Sequence, residues 1–271
     1  MLKKRVFLVI FLNSLFYFLC AYFILFFISR ISVAFSASVF NIPVRIYYDK
    51  IDYLVRSSDW ESDSVIAVFA TWPLLCFIIG LAFLVIFIKV VTESGMLRIL
   101  LIWLAILSII SFFGEITTGA LMDQGFGYVI MYMFVTDTGK VVLTLLGGIL
   151  LFFSGIALSR MLLFTANIYL TNISGFEKTK FVIYQYVFPY LVGIVLLQII
   201  DLPVINWFSL LVKLNGIIFL FPVLSRSAII EDIYFEEEAP EFKISWKAAL
   251  TALALILVYR VIFGFGVKIA I

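Results

Sequence analysis

SVIAVFATWPLLCFIIGLAFLVIFI, residues 64–88, runs for 25 residues without a charged side chain. As a helix it would extend about 37 Å at 1.5 Å per residue, more than the roughly 30 Å hydrocarbon core of a bilayer. It reads as a membrane-crossing helix. Extended along the chain, the same reading gives seven spans, at 6–29, 64–88, 97–113, 141–165, 181–200, 204–224 and 246–263. Composition agrees: of 271 residues, 65% are hydrophobic and 13% charged, and the mean hydropathy is +1.20. A water-soluble domain averages about 45–50% apolar residues and needs charge to cover its surface, whereas a lipid-facing surface does not. The expected fold is therefore an all-α polytopic transmembrane bundle, a single domain over residues 1–271.

The residues that are missing exclude several chemistries. There is no histidine, which removes the commonest general base, the H-E-x-x-H zinc motif and the serine–histidine pairing of intramembrane hydrolases. The two cysteines, Cys20 and Cys76, lie in apolar runs, where a thiol behaves as a small hydrophobe. No metal site and no cofactor is expected. Net charge is +2, without the basic stripe that nucleic acid requires, so the expected surroundings are lipid and the subunits of a membrane complex.

Orientation follows from Lys and Arg near the span ends. With the N-terminus in the cytoplasm, the inner side holds Lys3, Lys4, Arg5, Lys89, Arg98, Arg160, Lys178, Lys180, Arg226, Lys243 and Lys247. The outer side holds Arg30, Arg45, Lys50, Arg56, Lys140 and Lys268. The bias favours N-in, and seven crossings place the C-terminus outside, in what is expected to be a bacterial plasma (inner) membrane. The 24 uncharged residues of 6–29 exceed the roughly 7–15 of a signal-peptide core, so that span reads as retained.

Three connecting segments stand out. The outside loop 30–63 carries Tyr47, Tyr48, Tyr53 and Trp60 among mixed charges, the composition of an interfacial aromatic anchor. Residues 114–140, GEITTGALMDQGFGYVIMYMFVTDTGK, are too polar at both ends for an ordinary span. They read either as a re-entrant or interfacial segment or as a structured external loop. The cytoplasmic loop 225–245 concentrates six acids in EDIYFEEEAPE, residues 231–241. That spacing lacks the ligand alternation and glycine of a calcium loop, so it reads as a solvated face.

An ionisable group inside a span costs about 2.5–3.5 kcal/mol on insertion scales and marks a candidate site. The intramembrane polar cluster proposed on this ground is Glu115, Asp137, Lys140, Lys213, Asn215 and Arg260. Lys213, in the middle of the sixth span, has the fewest routes to the interface. Asp137-Thr138-Gly139 matches the three letters of an aspartic-protease motif, with Asp123 fourteen residues before it. Ser209 and Lys213 stand four apart on one helix face, the spacing of a serine–lysine dyad. Asp123, Asp137, Ser209 and Lys213 are thus the catalytic candidates of an alternative reading, a membrane-embedded enzyme acting on lipid or peptide. Gly147, Gly148 and Gly155 form a small-residue strip on the fourth span that suits close approach of another helix, within the chain or across a dimer.

The function these features favour is a non-enzymatic membrane protein, either a subunit or scaffold of a membrane assembly or a small-solute permease component. The two classes separate on one observation: whether the acids and Lys213 converge on a cavity or lie dispersed at headgroup level. The topology has its own check. A reporter fused after Ile271 is expected to read as non-cytoplasmic, and cytoplasmic activity there would refute either the span count or the orientation.

Overall fold

The computed structural model describes residues 2–90, 95–235 and 243–269. Glu236, Glu237, Glu238 and Glu241 of the acidic loop lie outside the described residues, as does Ile271. Among the described residues the chain is an all-α bundle of eight helices, seven of them long and apolar enough to cross a membrane. They are α1 (Leu2–Val39), α2 (Ser62–Lys89), α3 (Leu97–Met122), the short α4 (Phe126–Tyr132), α5 (Asp137–Ile168), α6 (Phe176–Asp201), α7 (Trp207–Ser227) and α8 (Trp246–Gly264).

Two small antiparallel sheets tie the ends of the bundle. In the first, β1 (Val44–Ile46) pairs with both β2 (Ile51–Tyr53) and β5 (Val267–Ile269), with Arg45 opposite Asp52 on one side and Lys268 on the other. In the second, β3 (Asn172–Ile173) pairs with β4 (Ile233–Tyr234). Strands that hydrogen-bond must lie on the same face. Six long helices separate β1 from β5 and two separate β3 from β4, both even numbers, so the strand pairing and a seven-span count agree. Three long helices lie between β1 and β3, which puts the sheets on opposite faces.

Lipid as solvent explains the layering. Lipid tails are as apolar as leucine, so helices associate through close packing and hydrogen bonds rather than by escaping water. The central helices are α1 and α3, each 61% buried over its most apolar stretch against 17% for α8. On α2 the exposed residues Leu74, Ile78, Leu81 and Val85 recur at helical spacing, the outward stripe of a lipid-facing helix. At the centre Trp103 of α3 is fully buried, edge-on to Phe18 at 5.1 Å and stacked on Tyr190 at 6.3 Å. Its indole N–H donates to Ser14 Oγ at 2.9 Å, and Ser14 in turn donates to the carbonyl of Gln185. That carbonyl belongs to a π-turn at Ile183–Val187 inside α6. Asn13 of α1 bridges two other segments, the stretch leading into α8 and the one following α5. It accepts from Ser245 N–H at 2.8 Å and donates towards the Lys243 carbonyl and the Tyr169 hydroxyl.

Residues 114–140 are more helical than their polarity suggests. Helix α3 continues beyond Phe113 to Met122, and after a turn at Asp123 the chain folds α4 back against α2 and α3. The close contact is backbone on backbone: a Cβ at Gly127 would stand 2.2 Å from the carbonyl oxygen of Gly119. The segment is a packed short helix rather than an open loop, because glycines at 119 and 127 let two helices touch without side chains between them.

The small-residue strip of α5 does not act as one motif. A Cβ at Gly155 would meet the Phe219 carbonyl oxygen at 2.2 Å and Pro222 Cγ at 2.8 Å, and one at Gly147 would meet Thr117 Cγ2 at 2.6 Å. Those two positions seat α5 on α7 and α3 of the same chain. Gly148 has nothing within 4 Å and points outward. Overpacking of a tight contact costs about 1–3 kcal/mol or more. Gly155→Leu is therefore expected to lower the thermal unfolding midpoint in detergent clearly, whereas Gly148→Leu leaves it nearly unchanged. Equal effects at the two positions would contradict this packing.

Candidate functional site

Four charged side chains at the membrane end bearing β1, β2 and β5 are held by neighbouring elements around one cavity. Asp201 is the last residue of α6. The Tyr259 hydroxyl of α8 lies 2.5 Å from Asp201 Oδ1 and 3.3 Å from the Tyr48 carbonyl oxygen. A phenol has a single proton, and the nearer, charged acceptor takes it. Lys213 Nζ of α7 is 3.7 Å from Asp201 Oδ2, with the two side chains only 11% and 17% exposed. From α1, Arg30 Nη2 donates to the same Tyr48 carbonyl at 3.3 Å and the guanidinium lies over the Phe26 ring. Two adjoining polar groups result, Lys213 with Asp201 and Tyr259, and Arg30 with the Tyr48 carbonyl, which lies 3.3 Å from the Tyr259 oxygen.

These groups surround a cavity of about 340 Å³, with Glu115 of α3 on its wall and Asp49 and Lys50 also lining it. The Glu115 carboxylate accepts the backbone N–H of Phe126 at the start of α4. The remaining wall is largely aromatic, including Tyr22, Tyr53, Trp72 and Phe208. Burial pushes the Tyr53 phenol up from its ordinary value, so it stays a neutral hydrogen-bonding group. The Lys213 ammonium sits 5.1 Å from the Tyr22 ring centroid, close enough for cation–π attraction. Among the described residues it has no hydrogen-bond partner.

Helix α7 is interrupted beside this cavity. Its first part ends at Leu214 and its second begins at Gly216. The Lys213 carbonyl is taken by the Tyr190 hydroxyl of α6, and Asn215 donates to Thr118 Oγ1 at 2.9 Å. Broken backbone at membrane depth persists only where protein groups or a cavity satisfy it, and here both are present.

The residues singled out from sequence divide into three groups. Glu115, Lys213 and Ser209 line the cavity, although no hydrogen bond reaches the Lys213 ammonium from Ser209. Asn215 and Arg260 flank it. Arg260 donates to the Leu202 carbonyl at 3.1 Å and stacks over Tyr48 at 4.6 Å. Asp123, Asp137 and Lys140 are elsewhere: Lys140 Nζ is 2.6 Å from Asp123 and 3.9 Å from the fully exposed Asp137. The Asp-Thr-Gly match is the first turn of α5, capped by Thr136 accepting from Gly139 N–H, and a lysine rather than a shared proton lies between the two carboxylates.

Sequence reasoning missed Arg30, Asp201 and Tyr259. A signal for Asp201 was present, since only Asp201, Leu202 and Pro203 separate the fifth and sixth expected spans, and an acid in so short a connection is held close to the membrane. Arg30 was read as a span end, but α1 continues nine residues beyond it to Val39. Among the described residues no group of three or more His, Cys, Asp or Glu is placed to hold a metal ion, and Cys20 and Cys76 are buried free thiols. No family model, curated protein or solved structure matches this chain.

Removing one partner of a buried ion pair strands the other charge, while removing both does not. Asp201→Leu and Lys213→Met are each expected to destabilise the protein more than half as much as the double variant. The coupling energy in a double-mutant cycle should be about 0.5–3 kcal/mol, read by chemical or thermal unfolding. Strict additivity would mean that the pair does not act as a unit.

Proposed function

We propose that this chain is a permease component that binds a small, net-neutral amphipathic solute in the aromatic-walled cavity beside the break in α7. The observation that carries the reading is the convergence of Arg30, Glu115, Asp201 and Lys213 on one cavity. A scaffold has no use for four charged groups gathered at one hollow, since dispersed headgroup-level positions cost less.

Charge balance supports the solute class. Two cations, Arg30 and Lys213, face two acids, Glu115 and Asp201, while Lys50 is paired with Asp52 at 3.0 Å. A monovalent ion entering this site would leave one charge uncompensated in a poorly solvated space, whereas a zwitterion leaves none. The aromatic rings offer apolar contact and cation–π attraction to its cationic end. The Lys and Arg bias adds an orientation to the reading: the N-terminus is cytoplasmic, in a bacterial inner membrane, and the cavity lies towards the outer face.

The test is a thermal-shift and uptake screen with the purified full chain. Zwitterionic amino acids and betaines, at about 100 times their dissociation constant, should stabilise it by about 2.7 kcal/mol, with accumulation in proteoliposomes. Simple monocations and monoanions of the same size should not. Lys213→Met is expected to abolish both responses. Equal stabilisation by all charge classes, or a full response from Lys213→Met, would overturn the assignment.

A further inference from the structure

A second hollow opens at the opposite end of the bundle, between α5 and α7 beside β4. It has a volume of about 740 Å³, and its lining includes Ser159, Arg160 and Phe164 of α5 and Arg226 of α7. Both arginines are exposed. Among the described residues no carboxylate lies within ion-pair distance of either guanidinium. We propose that this groove is a binding site for the headgroup of an anionic phospholipid, with Arg160 and Arg226 holding its phosphate.

Depth is the first support. Helix α5 has 32 residues, about 48 Å at 1.5 Å per residue, longer than the roughly 30 Å hydrocarbon core. Arg160 lies about 12 Å from the helix end by the same rise, within snorkelling reach of the headgroup layer. Arg226 is in the last turn of α7, at the same face. Two guanidinium forks on one groove match the oxygens of a phosphate.

Charge is the second. Of the two acids on the lining, Asp232 is already taken, with Lys178 Nζ at 2.8 Å and Gly175 N–H at 3.2 Å. Those contacts hold its carboxyl below the ordinary carboxylate value. Glu231 is exposed on the lining, so with Asp232 matched by Lys178, the lining among the described residues sets Arg160 and Arg226 against Glu231. Basic hollows between membrane helices suit acidic lipid headgroups, at about 1 kcal/mol for each Lys or Arg.

The third support selects a lipid over a soluble phosphate. Phe153 and Ile149 are exposed at 58% and 49%, about two and three turns before Arg160 on the same helix face. A headgroup held by the two arginines would lay an acyl chain along this stripe. The floor beneath is firm, because Gly155 brings α5 against the backbone of α7.

Native mass spectrometry of the full chain from mixed micelles tests this with phosphatidylglycerol and phosphatidylcholine of matched acyl chains. The wild type should retain phosphatidylglycerol with about a thirtyfold preference, the order expected for two arginines. R160Q/R226Q should fall to near-equal retention, while R45Q at the opposite face should keep the preference. R226Q alone should lose part of it, which supplies a readout if the double variant folds poorly. Millimolar glycerol phosphate should not displace the lipid. Unchanged preference in R160Q/R226Q or in R226Q would overturn the site, and complete displacement by glycerol phosphate would assign it to a soluble phosphate instead.

Discussion

A charge carried into a bilayer must find an opposite charge, a hydrogen-bond acceptor or a route to water. At one end of this bundle that constraint is met by a chain of contacts rather than by isolated pairs. Lys213 stands near Asp201, Asp201 accepts a hydrogen bond from the Tyr259 hydroxyl, and Arg30 donates to the Tyr48 carbonyl, 3.3 Å from the Tyr259 oxygen. Four long helices, α1, α6, α7 and α8, and the segment between α1 and α2 are tied together by this arrangement. The cavity lies where they meet, because side chains that satisfy charges at a distance from one another leave space that apolar packing would have closed.

The rest of the architecture keeps that end open and the remainder shut. At the bundle centre Trp103, Phe18 and Tyr190 close on one another, and Tyr190 reaches from there to cap the broken carbonyl of Lys213. One residue thus belongs both to the packed centre and to the cavity wall, which couples the shape of the site to the packing of α1 against α3 and α6. The small sheets at the two faces fix the helix ends, so the charged chain does not have to hold the bundle alone.

Part of this was legible in the residues. Lys213 stood out because no reading of a 21-residue span puts its tenth residue comfortably at an interface, and Glu115 because it bounds the irregular segment 114–140. Asp201 and Arg30 were hidden by the same rule that exposed those two: each sits where an uncharged run stops, and a charge at the end of a run is ordinary. Only the nine further helical residues after Arg30 and the docking of Tyr259 on Asp201 reveal that both face inward. The glycines of α5 show the complementary limit. Spacing places Gly147, Gly148 and Gly155 on one helix, but which of them meets a neighbour depends on where α3 and α7 lie, and that depends on contacts distant in sequence.

What the sequence by itself determined is the solvent, the helical class and the seven crossings, because hydropathy over about 20 residues is a local property and the bilayer core has a fixed thickness. It also excluded histidine chemistry outright. What only the tertiary structure decided is which charges share a space. Asp123, Asp137 and Lys140 gather at a surface, while Arg30, Glu115, Asp201 and Lys213 gather around a hollow. Such a gathering brings onto one cavity residues 183 positions apart, Arg30 and Lys213, and is set by helix packing, to which the local hydrophobic pattern is blind.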